Sequence, residues 1–373
     1  MKICILTQPL GTNYGGLLQA YALQTVLKNM GHDVLTEDRR YPRLSGKEVL
    51  KYQIKRLLGP IRRRYYPTQN EVATIRKNTD KFIRERIRTT EPVYSNTKEE
   101  LSKYNFDTYI VGSDQVWRPR YSPYLLNYFL DFARGQNVKR IAYAASFGTD
   151  KWEFSDSQTR LCANLAKEFD AVSVREDSGV KLCADYLGIN AEQVLDPTLL
   201  LERSDYIDLL GKDNIKKSDK KALFQYTLDD TPEKTQIAGL VRELLCIEPD
   251  SVSQVSINNF SYVGPQRINE CVLPSVQTWI QSFIDADFVV TDSFHGTVFS
   301  SIFNTPFIII PNSNRGQTRF SSLLKLFNLQ DRMVKSLETV VDIVEQPINY
   351  NEIQYRLDEE RRKSLSFLVK ALM

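Results

Sequence analysis

"KICILTQPLGTNYGGLLQAYALQTVLKNMGHDVLTED", residues 2–38, reads as one complete supersecondary unit. KICILTQ (2–8) is a short apolar strand, and PLGTNYGG (9–16) is built from residues that tolerate turn geometry. Beyond it Leu18, Tyr21, Ala22, Thr25 and Val26 fall at helical spacing, and Gly31 offers a natural C-terminal cap. DVLTED (33–38) then resumes as a strand. Strand, helix and strand in this order form a βαβ unit with parallel strands.

The same alternation recurs along the 373 residues. Strands are expected at DTYIVGSD (107–114), KRIAYAAS (139–146), AVSVRE (171–176), KALFQYTL (221–228), SVSQVSI (251–257), DFVVTDS (287–293) and PFIII (306–310). Helical patterns lie between them at 176–188, 231–245 and 275–286. Strands alternating with helices imply mostly parallel sheets covered on both faces. The length exceeds one ordinary domain, and the polar, Lys-rich stretch 195–222 marks a junction. The expected fold class is α/β, with two doubly wound Rossmann-like domains and a cleft between them. The domains are 1–197, with a basic insertion at about 45–95, and 198–373, whose last helix is free to pack back on the first.

Composition narrows the function. Hydrophobic residues make up 42% and aromatic residues 11%, enough for two cores. The 49 Lys and Arg against 46 Asp and Glu give a net charge of +3, too balanced for a general nucleic-acid binder. Five cysteines (Cys4, Cys162, Cys183, Cys246, Cys271) are odd in number and form no C-x-x-C. This argues against a disulfide framework or a zinc site and fits a reducing compartment. The first apolar run is too short for a signal peptide, and no run of 18 apolar residues occurs, so a cytoplasmic protein is expected. Residues 51–90 break the balance, with 12 Lys and Arg against 3 Asp and Glu. Such a region is either a solvated helical excursion or a patch facing an anionic lipid surface, with the protein then peripheral to the membrane.

In doubly wound sheets, ligands sit beyond the carboxyl ends of strands. His295 stands there, between DFVVTD and the helix pattern GTVFSSIF, amid Thr291, Asp292, Ser293 and Gly296. The helix start favours an anion and Gly296 allows a ligand to come close. The alternative is a capping or packing histidine. His32, in a helix-ending turn, has no such surroundings and reads as surface. Arg175 ends another apolar strand, suited either to a carboxylate or phosphate or to a salt bridge with Glu176, Asp177 or Asp170. Arg315 and Arg319 follow PFIII and could converge on the same anion. VGSDQVW (111–117) brings Ser113, Asp114 and Gln115 to a strand end near Trp117, an arrangement suited to a sugar or to a capped helix beside a core tryptophan. GTNYGG is neither G-x-G-x-x-G nor a P-loop, so nicotinamide and P-loop sites are poorly supported.

NYGGLLQAYAL (13–23), VGSDQVW (111–117), YAASFG (143–148), SVRE (173–176), LDPTLLL (195–201) and TDSFHG (291–296), in this order, resemble the motif set of the polysaccharide pyruvyl transferases. The resemblance spans nearly the whole chain, and as a set it is specific. It implies a fold like the GT-B glycosyltransferases. It also implies transfer of pyruvate from phosphoenolpyruvate to a sugar, as a cyclic ketal, in exopolysaccharide or capsule synthesis, with neither metal nor cofactor. On this reading His295 and Asp114 are catalytic, His295 as acid–base and Asp114 assisting a sugar hydroxyl. Arg175, Arg315, Arg319, Ser293 and Gly296 hold the donor. Asn13, Gly15, Gln19, Ser113, Gln115 and Trp117 face the acceptor, a sugar or lipid-linked oligosaccharide. The rivals are a GT-B sugar-nucleotide glycosyltransferase, which needs a nucleotide pocket, and a non-catalytic sugar-binding protein, which is normally exported.

Overall fold

In a computed structural model of the chain, all residues are described except 43, 95–96, 123, 212–219, 230, 256–258 and 312–317, and the side chains of 318 and 319. The first sheet is formed by β1 (Lys2–Leu6), β2 (Asp33–Arg39), β3 (Thr89–Val93), β4 (Thr108–Val111), β5 (Lys139–Ala145), β6 (Ala171–Val174) and β7 (Glu192–Gln193). All its pairings are parallel, in the order β3-β2-β1-β4-β5-β6-β7. The second comprises β8 (Leu223–Tyr226), β9 (Val252–Gln254), β10 (Phe288–Thr291) and β11 (Phe307–Ile309), in the order β11-β10-β8-β9 and again parallel. Burial on both faces explains why β1, β4 and β10 read as apolar runs rather than alternating ones.

One apolar core runs through both domains. Tyr14, in the helix Tyr14–Asn29 behind β1, stacks on Trp279 of the helix Val276–Asp285 with ring centroids 5.4 Å apart. The Tyr14 hydroxyl donates to the Pro274 carbonyl at 2.8 Å. The last helix, Tyr350–Leu372, returns to the first sheet: Phe367 meets Tyr143 of β5, and the Leu195 amide donates to Ser364.

The basic region forms two helices, Gly46–Leu58 and Gln69–Arg86, each opened by a capping box, Ser45 with Glu48 and Thr68 with Glu71. It straps the domains together. The Tyr65 amide donates to Ser261, the Leu273 amide to Ile75, and the Asn78 side chain to the Leu273 carbonyl.

Candidate active site

Each sheet has one point where the strand order reverses, between β1 and β4 in the first and between β8 and β10 in the second. Loops leaving such a pair diverge and open a crevice. Here the two crevices face each other across a single cavity of about 560 Å³. Gln8, Asn13, Asp114 and Gln115 line it from the first domain, and Tyr226, Thr227, Ser293 and His295 from the second. Tyr41 and Leu273 also line it.

His295 is the second residue of the helix Phe294–Phe303 that follows β10. The turn before it is fixed from within. The Thr291 hydroxyl donates to Tyr226 and accepts from the Ser293 amide, and Ser293 caps the helix through the Gly296 amide. Asp292 is held by Lys234 at 2.5 Å and by the Leu228 amide. The imidazole packs directly on the first domain, where a Cβ at Gly15 would lie 1.9 Å from Nδ1. Its Nε2 is buried without a hydrogen-bond partner, 3.8 Å from Asp196 Oδ2. The contact with Gly15 yields a first prediction. Gly15→Ala must displace the imidazole or part the domains, and a misplacement near 1 Å lowers turnover by up to about 100-fold. Steady-state kinetics beside a thermal melt check this, and unchanged turnover would show the contact to be dispensable.

Asp196 is the node behind His295. Its Oδ2 accepts from Ser113 Oγ at 2.9 Å and Arg175 Nη1 at 2.8 Å. Its Oδ1 accepts from the Thr198 amide and hydroxyl at 3.0 and 2.7 Å. Burial alone would raise this carboxyl, but His295, Arg175 and Thr198 together hold it well below the usual carboxylate range. Arg175 also donates to Glu176 and Ser146, and its guanidinium lies over the Phe294 ring, 4.4 Å from the centroid. Burial would lower its pKa, yet Glu176, Asp196 and Asp114 outweigh that and raise it.

Asp114 sits at the end of β4 with φ 71°, a left-handed conformation that costs a non-glycine residue about 1 kcal/mol. Its carboxylate accepts from the Gln115 amide and, at 3.4 Å, from the Asn13 side chain. Asn13 is the N-cap position of Tyr14–Asn29, yet its side chain makes no capping bond, and the first turn carries no acidic residue. Two helix N-termini, at Asn13 and Ser293, therefore converge on one cavity with their positive ends toward it.

Residues 13–314 match the model of the family described as polysaccharide pyruvyl transferase. The chain belongs to that family. Membership makes it a transferase of pyruvyl groups in polysaccharide biosynthesis. No curated protein matches its sequence. Among solved structures it is similar to UDP-GlcNAc 2-epimerase from Neisseria meningitidis bound to UDP-GlcNAc, with TM-score 0.53 and 9% identity over 100% of this chain and 99% of that one. The MnaA–UDP co-structure from S. aureus aligns with TM-score 0.50 and 12% identity over 96% and 91% of the two chains. These likenesses concern the fold, which is that of the GT-B enzymes.

For this pyruvyl transferase the cavity brings together His295, Ser293, Asp114, Asn13 and Gln115. Other expected contacts lie behind its wall. Trp117, expected beside the acceptor, is fully buried, stacks on Phe129 and donates its indole N–H to the Tyr128 carbonyl. Gln19 is buried against Thr7 and Gly16, and Ser113 against Asp196. Arg175, expected on the donor, is buried and engaged by Glu176, Asp196 and Ser146. Gly296 is required by packing rather than by a ligand, since a Cβ there would lie 2.1 Å from Thr291 Oγ1. Arg315 lies outside the described residues, as does the side chain of Arg319. Asp196, Gln8 and Tyr41 were not singled out from the sequence. Asp196 carried one signal, its place in LDPTLLL.

Proposed function

We propose that the protein transfers the pyruvyl unit of phosphoenolpyruvate to two hydroxyls of one sugar, forming a cyclic ketal and releasing phosphate. The observation that carries this reading is His295 sharing one interdomain cavity with Asp114. The two converging helix N-termini suit the donor's carboxylate and phosphate. Protonated His295 gives its proton to the methylene carbon, which becomes the methyl group. The first sugar hydroxyl adds to the adjacent carbon as Asp114 accepts its proton. Phosphate then leaves by C–O cleavage, and the second hydroxyl adds to the oxocarbenium carbon. Of the two hydroxyl protons, one replaces the proton spent by His295 and the other leaves on phosphate, so the site returns to its starting state. Asp196, anchored by Arg175, lies beside the buried Nε2 and stabilises the imidazolium.

Among the described residues no cluster of three or more His, Cys, Asp or Glu side chains is placed to hold a metal ion. The expected result is phosphate release from phosphoenolpyruvate that requires a sugar acceptor and survives a chelator. Inertness toward phosphoenolpyruvate, with turnover of a nucleotide sugar instead, would replace this reading by glycosyl transfer.

A further inference from the structure

The helix Gly46–Leu58 is the one feature of the basic insertion that its interdomain strap does not explain. None of its residues is buried. Its inner side is moored by Tyr52, whose hydroxyl donates to the Pro67 carbonyl, and by Arg56, 3.5 Å from Glu71. Opposite these anchors, Leu50, Ile54 and Leu57 follow at spacings of four and three, which puts them on one stripe. Leu50 is 58%, Leu57 78% and, just beyond the helix, Ile61 80% exposed.

The flank of this stripe is cationic. Lys47, Lys51 and Lys55 lie beside it, and the exposed Arg62, Arg63 and Arg64 follow. The helix's one acidic residue, Glu48, is occupied by the Ser45 capping box. Large aliphatic side chains on one face with lysines on its border are the pattern of a helix that lies in a bilayer interface. Among the described residues no helix is long and apolar enough to cross a membrane. An antiparallel pairing with a second copy would set lysines against lysines, whereas an anionic surface complements the whole lysine row. Tyr41, which lines the cavity, precedes the first residue of this helix by five positions.

We propose that Gly46–Leu58 docks the protein on an anionic phospholipid surface, with Leu50, Ile54, Leu57 and Ile61 inserted and the lysines at the headgroups. This docking does not depend on the ketal chemistry.

Vesicle sedimentation of the full chain tests it, using phosphatidylcholine vesicles with and without phosphatidylglycerol. The expected result is partitioning onto phosphatidylglycerol vesicles that weakens with salt. Leu50→Ser with Leu57→Ser should lower it at least about tenfold. Lys51→Gln and Lys55→Gln should each lower it about fivefold. Thermal melts and phosphate release from a soluble acceptor should stay near wild type in all these variants. No binding to the anionic vesicles, or binding indifferent to the leucine changes, would overturn the proposal. So would light scattering showing a dimer that Leu50→Ser and Leu57→Ser dissolve, because the stripe's occupant would then be a second copy.

Discussion

In His295→Gln the expected result is a folded protein whose turnover at saturating phosphoenolpyruvate has fallen by about 10²–10⁴-fold. Glutamine keeps polarity and some hydrogen bonding but moves no proton, so the loss isolates proton transfer from shape. The helix is capped by Ser293 and the turn is held by Thr291, Asp292 and Lys234, so the substitution leaves those supports in place. A histidine that merely packed on Gly15 would instead register in the melt, typically by about 0.5–3 kcal/mol, with turnover kept. A histidine that only bound the donor's phosphate would raise the Michaelis constant more than it lowered the turnover number. Near-normal turnover of folded His295→Gln at saturating donor therefore removes the acid–base assignment.

The largest stability effect is expected at Asp196. Asp196→Ala leaves the Arg175 guanidinium buried with one carboxylate partner fewer and strips Ser113 and Thr198 of their acceptor. Breaking a buried pair by removing one member costs about 3–5 kcal/mol, which chemical denaturation resolves easily. Asp196→Asn keeps the shape and some acceptor capacity, so it should melt higher than Asp196→Ala while still losing activity, because the charge beside Nε2 is gone. Equal melts for wild type and Asp196→Ala would show the network to be idle. The pH dependence has a definite sign. The native carboxyl is held below its unfolded value, so the stability it contributes is fully present above about pH 4. That contribution fades only as pH falls from there toward the depressed native value.

The sequence exposed the doubly wound architecture because buried parallel strands leave apolar runs, and KICIL, TYIV and FVVT are such runs between helical periods. The strand Thr89–Val93 escaped because TTEPV is polar and contains a proline, features tolerated only at an edge, and β3 is the edge of its sheet. His295 was legible from its place in a strand–turn–helix, which topology alone brings to a crevice. Trp117 was misplaced because a turn leaves its side-chain direction open, and here it points into an aromatic core. Asp196 stayed hidden for a different reason. In LDPTLLL an aspartate before proline reads as a cap, and it does cap the turn at Thr198. That its other oxygen reaches Arg175 follows only from the pairing of β6 with β7. Gly15, expected to face the acceptor, instead makes room through its missing side chain for an imidazole from the other domain.

The returning helix has a consequence for the order in which this protein can be made. Tyr350–Leu372 covers part of the first sheet, although the whole second sheet lies between them in the chain. The second domain is thus, topologically, an insertion within the first. During synthesis, Tyr143 lacks Phe367 and the Leu195 amide lacks Ser364 until residues 350–372 have left the ribosome. The N-terminal half cannot finish folding first and wait as a closed unit. It stays open along one apolar face while the other domain forms, and a single late helix closes both.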